Sequence, residues 1–160
     1  MIRMLYVLLT FVLIGSSQVM ADIESDVEKL MDESIVFAKQ MLKKEGEFLP
    51  YGAAMKPDGE VVWVGAYDND EHPPSQEVID LLKQGFRQSA AKGDFKATAI
   101  IYDVRIKIND KGEKSDAIAI AVDHKYNFSI IYFYTYEIDD DEIRYGEIRA
   151  LKGAKDVFPE

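Results

Sequence analysis

Apolar and small residues recur at three-and-four spacing from Asp22 to Glu45, through Ile23, Val27, Leu30, Met31, Ser34, Ala38, Met41 and Leu42. Glu24, Asp26, Glu28 and Lys39 fall off that stripe, so the segment predicts an amphipathic helix. Acidic residues near its start and Lys43-Lys44 near its end suit the helix dipole, and Gly46 offers a left-handed stop. A second helix is expected from Ser75 to Lys92, entered through Pro73-Pro74 and closed by Gly93. It buries Val78, Ile79, Leu82, Phe86 and Ala90. Gly85 inside it costs about 1 kcal/mol against alanine, which reads as a mark of close packing.

The rest of the pattern has a period of two. Glu47 to Met55 and Glu60 to Tyr67 predict short strands joined by the turn Lys56-Pro57-Asp58-Gly59. Beyond Lys96, strands are expected at Ala97–Ile108, Asp116–Asp123, Phe128–Ile138 and Glu142–Ala150, pairing consecutively and antiparallel. On the first of these, Ile100, Tyr102, Val104, Ile106 and Ile108 share one face. On the second, Ile118, Ile120 and Val122 oppose Ala117, Ala119 and Ala121, so the alanine side is expected to receive the second helix. Tyr132, Tyr134 and Tyr136 share a face of the third, and the plainest place for that stripe is the core under the first helix. Trp63, alternating with Val61 and Gly65, reads as a core anchor.

These elements predict an α+β domain: an antiparallel sheet of five to six strands flanked by two helices, in the order α-β-β-α-β-β-β-β. The order is similar to roadblock and profilin-like architectures. The motif Tyr67-Asp68-x-Asp70-Glu71-His72-Pro73-x-Ser75, with Tyr102-Asp103-Val104-Arg105 and Asp116-Ala117-Ile118, resembles a family of small exported bacterial proteins to which no activity is assigned. That resemblance spans roughly Phe48 to Gly146 and implies domain limits without implying chemistry.

The N-terminus follows a different grammar. Arg3 precedes an apolar run from Met4 to Ile14 broken by Thr10, then Gly15-Ser16-Ser17-Gln18 relaxes the chain before Val19-Met20-Ala21. This is the pattern of a secretory signal over residues 1–21, with one domain over 22–160. The run is shorter than the roughly 20 residues of a membrane-spanning helix, so no membrane attachment is expected after cleavage, and the location is periplasmic or secreted. The mature chain would hold 139 residues and a net charge of -11, from 18 basic and 29 acidic side chains.

Of 160 residues, none is cysteine and two are histidine, which removes disulfides, thiolate nucleophiles and most nucleophile–base pairs. A net charge of -10 argues against nucleic acid as a partner. Phosphate-cradling glycine loops, nucleophile elbows and dinucleotide fingerprints do not occur, and no cofactor or metal site is expected.

Three groups carry candidate chemistry. Asp68, Asp70 and His72 combine carboxylates with an imidazole suited to acid–base work, but their spacing departs from a calcium loop and from a zinc helix. The plainer reading is a solvated loop before the second helix. Asp103 and Arg105 share a strand face near Asp116, so Arg105 offers a bidentate grip on an anion, or forms an ordinary cross-strand ion pair. Asp123-His124 sits beside them, and His124, opening a hairpin turn, is expected to be exposed. Tyr102, Tyr132 and Tyr134 would line a ligand wall or an interface, and Asp139 and Asp141 would add to an acidic docking surface. The leading expectation is therefore a non-catalytic protein-binding module, inhibitor- or immunity-like, for a basic partner, or one that pairs with a second copy of itself. Its rivals are a small carboxylate/His hydrolase or metal-dependent enzyme at Asp68, Asp70, His72 and Asp103, and a small-molecule sensor with Tyr102, Tyr132 and Arg105 around one pocket.

Overall fold

Every third or fourth side chain of the long first helix disappears from solvent: Ile23, Val27, Leu30, Ser34, Ala38 and Leu42 are all buried. The computed structural model describes residues 11–65, 73–139 and 142–158, with side chains from residue 17 onward. Among these residues two helices and six strands follow one another as α1 (Phe11–Glu45), β1 (Tyr51–Met55), β2 (Val61–Val64), α2 (Ser75–Ala91), β3 (Ala97–Lys107), β4 (Lys114–His124), β5 (Phe128–Asp139) and β6 (Glu142–Lys152). The molecule is of the α+β class. Helix α1 begins upstream of Asp22, because no proline interrupts the chain from Phe11 and Gly15 alone does not break a helix. It is anchored only from Ile23, since residues 17–22 are exposed. Gly46, at φ 77°, ends it with a left-handed turn whose N–H returns to the Leu42 carbonyl.

The six strands form one antiparallel sheet in the order β2-β1-β3-β4-β5-β6. Strand β3 fills the gap between two hairpin systems, pairing Ala53 of β1 with its Ala99 and Ile120 of β4 with its Ile101. Register then decides which rows share a face. Ala99 lies opposite Val122 and Ile100 opposite Ala121, so large and small side chains interleave on both sides of the sheet. Helix α1 lies on the face of Ala97, Ile101, Ile118 and Ile120, whereas α2 lies on the face of Ala54 and Ile100.

The expected seat of α2 needs correcting. It occupies the side of the sheet that carries the β4 alanines, but it sits over β1 and β3. Its closest approach is at Gly52, where an added Cβ would lie 2.5 Å from the Phe86 ring. Ala117 and Ala119 lie beyond the helix, buried beneath Tyr102, Val104, Ile131 and Phe133. Gly85 is not the close contact either: a Cβ there meets nothing within 4 Å.

Two further devices hold the layers together. The Tyr51 hydroxyl donates to the Ser34 carbonyl at 2.6 Å and accepts from the Ala38 N–H at 3.1 Å. These are two groups that bond each other in a regular helix, so β1 is tied directly into the α1 backbone. After β6 the chain turns back as a strap over the α2 face. Val157 there is buried against Ile79, Leu82 and Phe86.

Candidate functional site

Asp68, Asp70, His72 and Asp141 lie outside the described residues. The others separate by the parity of the strands. Asp103 and Arg105 stand on the α1 side of β3, while Tyr102 between them stands on the α2 side with Val104 and Ile106. Tyr132 and Tyr134 belong to the α1 side. A single pocket lined by Tyr102, Tyr132 and Arg105 is therefore not formed. Arg105 faces Asp116 across the ladder at 3.7 Å with both side chains more than half exposed, a pair worth a fraction of a kcal/mol. Asp103 accepts a hydrogen bond from the Tyr136 hydroxyl at 2.8 Å. Desolvation beside that ring lifts its carboxyl above the ordinary range, against the pull of the hydroxyl, and Asp116 adds to the rise.

Two consecutive residues at the end of β4 do different work. His124, expected at the surface, is 1% exposed because α1 crosses over the end of the strand. Its Nδ1 accepts the Tyr126 N–H at 3.2 Å, which leaves the proton on Nε2 to face Asp26 Oδ2 at 3.3 Å. The Lys96 ammonium completes the cluster, 2.8 Å from the other Asp26 oxygen. Burial pushes the imidazole pKa below 6.5; Lys96 and Lys125 add to the fall, and Asp26 opposes it. Both ring nitrogens are engaged, so the group is a tie between helix and sheet.

Asp123 points to the opposite face and holds the strap. Its carboxylate accepts from the Ser129 hydroxyl at 2.6 Å and from the Val157 N–H at 2.8 Å, and Ser129 Oγ in turn accepts from Lys155 N–H at 3.1 Å. Gly153 is required beside them, since a Cβ would fall 2.0 Å from Ser129 Oγ. Lys83 pairs with Asp156 at 2.7 Å across the same seam. The seam encloses a cavity of about 160 Å³. Among the described residues no buried side-chain polar atom lacks a hydrogen-bond partner.

A recess on the α1 side of the sheet has a different character. Helix α1 covers β1, β3 and β4 but leaves the neighbouring part of β5 open, and the gap forms a groove of about 420 Å³. Its floor is Phe128, Tyr132 and Tyr134, its inner edge Val27 and Met31, and its rim the exposed carboxylates Glu24, Glu28 and Asp32. The three acids are four residues apart and so line one side of the helix. The tyrosines are half-buried, and desolvation raises their hydroxyl pKa values; Asp32 adds to the rise at Tyr134. The two tyrosines are therefore floor residues at the core margin, whereas Tyr136 of the same stripe is buried.

Trp63 also departs from expectation. On the short edge strand β2 it is 51% exposed, leaning on Tyr51 and Phe37 at ring-centroid distances of 5.7 Å and 6.2 Å. Asp139 is exposed and paired with Arg144, the strand partner of its neighbourhood across the β5–β6 turn. Among the described residues no group of three His, Asp or Glu side chains is placed to hold a metal ion, and no helix is long and apolar enough to cross a membrane. No family model, curated protein or solved structure matches the chain.

The sequence pattern missed Asp26, Ser129 and the acidic rim. Asp26 falls off the apolar stripe by helical count, and only the overhang of α1 beyond the strand end buries it. Glu24, Glu28 and Asp32 did carry a readable signal in their four-residue spacing, which becomes a rim only once β5 lies beside it.

Proposed function

We propose that the protein is an exported, non-catalytic binding module that holds a basic segment of another protein in the groove between α1 and β5. The observation that carries this reading is the alignment of Glu24, Glu28 and Asp32 along a floor of Phe128, Tyr132 and Tyr134. The aromatic floor supplies area to bury, and tyrosine does so while its hydroxyl stays wet. The carboxylate rim selects lysine or arginine against acidic sequences, and the net charge of -10 steers such a partner inward. Export is supported by the N-terminal pattern and by the start of α1 packing at Ile23, just past the expected cleavage after Ala21.

The test uses the exported form, whose first residue mass spectrometry is expected to place at Asp22. Titrating it with a peptide of alternating lysine and aromatic residues should shift backbone NMR signals in 24–32 and 128–134. Affinity should fall steeply with salt, and reversing Glu24, Glu28 and Asp32 to lysine together should weaken it about a hundredfold or more, roughly 1 kcal/mol per reversed site. Shifts scattered over the surface, or an unchanged affinity in the triple variant, would sink the proposal.

A further inference from the structure

Strand β6 is an eleven-residue edge of the sheet, and most of it is exposed. Ile148 is 59% exposed and Tyr145 43%. Such an edge presents a row of unpaired backbone donors and acceptors, and proteins ordinarily blunt it. Charge can do this by placing like beside like when two copies meet. Here the charges do the reverse. The chain as a whole is strongly acidic, yet β6 carries three basic residues, Arg144, Arg149 and Lys152, against two acidic ones, Glu142 and Glu147.

A bulge makes the pattern self-complementary. Tyr136 of β5 pairs with Tyr145 and Tyr134 with Ile148, so β6 spends two residues, Gly146 and Glu147, opposite Thr135 alone. A Cβ on Gly146 would collide with Thr135 Oγ1 at 2.6 Å, which fixes glycine at the bulge. Ile143 and Ile148 differ by an odd number of residues and would face opposite ways in a regular strand. The extra residue brings Ile143, Tyr145 and Ile148 onto the α1 face together, opposite Ile138, Tyr136 and Tyr134. Glu142, Arg144, Glu147 and Arg149 are left on the other face.

We infer that β6 pairs antiparallel with β6 of a second copy about a two-fold axis at Tyr145, giving one continuous twelve-stranded sheet from the two six-stranded ones. In that register Ile143 meets Ile148 of the second copy, Tyr145 meets its own counterpart, Glu142 meets Arg149 and Arg144 meets Glu147. Two-fold symmetry repeats each unlike pair. The apolar contacts fall on one face and the ion pairs on the other, and no like charges meet within those seven positions. Arg144 and Arg149 have exposed intramolecular partners in Asp139 and Glu147, weak pairs that exchange readily for cross-strand ones.

Sedimentation velocity of the purified protein at micromolar concentration tests the inference. The wild-type protein should sediment as a dimer. Arg149→Glu and Glu142→Arg should each weaken dimerisation about tenfold by opposing like charges at two symmetry-related positions. The two substitutions combined should restore it. The Arg144→Glu and Glu147→Arg pair reads the same register independently, should either first variant fail to fold. A monomeric wild-type protein, a dimer indifferent to all single changes, or a double variant no better than its parents would overturn the assignment. Groove binding by a monomer would leave the function above intact while removing this interface.

Discussion

A methyl group added at Gly85 meets no atom within 4 Å, and the residue is exposed in the interior of α2 with ordinary helical surroundings. Gly85→Ala is therefore expected to stabilise the protein by about 1 kcal/mol through reduced backbone entropy of the unfolded chain, raising Tm by about 3 °C. The same substitution at Gly52 forces a Cβ into the Phe86 ring and should destabilise by about 2 kcal/mol. Calorimetry of the two variants gives opposite signs, and a drop in Tm for Gly85→Ala would show a contact absent from this packing. The contrast also marks what one residue in a sequence conveys. A glycine in a helical pattern signals a propensity cost, but the partner that needs the space sits on a strand more than thirty positions away, where the local pattern gives no warning. His124 was obscured for the same reason, because a turn-like tetrapeptide implies exposure until the end of another element covers it.

Elements were more legible than their contacts. The period of two and the turn residues locate all four strands after α2 to within two residues, since side-chain alternation and glycine or asparagine turns are local properties. The pairing of β1 with β3, the seat of α2 and the β6 bulge depend on register between strands distant in sequence, which alternation alone leaves open. The C-terminal strap has no periodic signal at all; it is held by Asp123, Ser129 and the buried Val157. Asp123→Ala should free it, costing about 2 kcal/mol for the charge-assisted bonds lost. Native-state hydrogen exchange should show the Lys155 and Val157 amides losing protection while those of β4 keep theirs. Retained protection at both amides would mean that burial of Val157 alone fastens the strap. The strap lies across the sheet from the groove, so this variant is expected to keep its binding of basic peptide, a separation that also distinguishes structural from functional use of the polar residues on β4.

For the whole molecule, the tie between α1 and the sheet is a titrating one. An unfolded histidine titrates near 6.5, whereas the buried His124 ring titrates lower, with Asp26, Lys96 and Lys125 as the charged groups facing it. As pH falls through 6.5 the unfolded chain therefore takes up the proton first. The stability present above 6.5 is lost across the window down to the depressed native value, with a slope approaching about 1.4 kcal/mol per pH unit, the limit for one proton. Asp103 acts with the opposite sign in a lower window. Its carboxyl is raised above 3.8 in the folded state, so the penalty it carries at neutral pH is relieved as pH falls through that raised value. Urea unfolding from pH 8 to 5 should thus show wild-type stability declining relative to His124→Gln, which starts lower but lacks the titrating ring. Parallel pH profiles for the two proteins would exclude His124 as the group responsible. Protonation of His124 Nδ1 removes the bond accepted from the Tyr126 N–H, whereas Nε2 keeps its proton toward Asp26 and Lys96 keeps its own contact with that carboxylate. The local loss therefore falls at the β4–β5 turn, and the α1 wall beside the Glu24–Asp32 rim stays fastened. Titrating basic peptide across that window is accordingly expected to give the same pH dependence of binding in wild-type protein and in the glutamine variant, and a steeper loss in wild-type protein would place the change in the α1 wall instead.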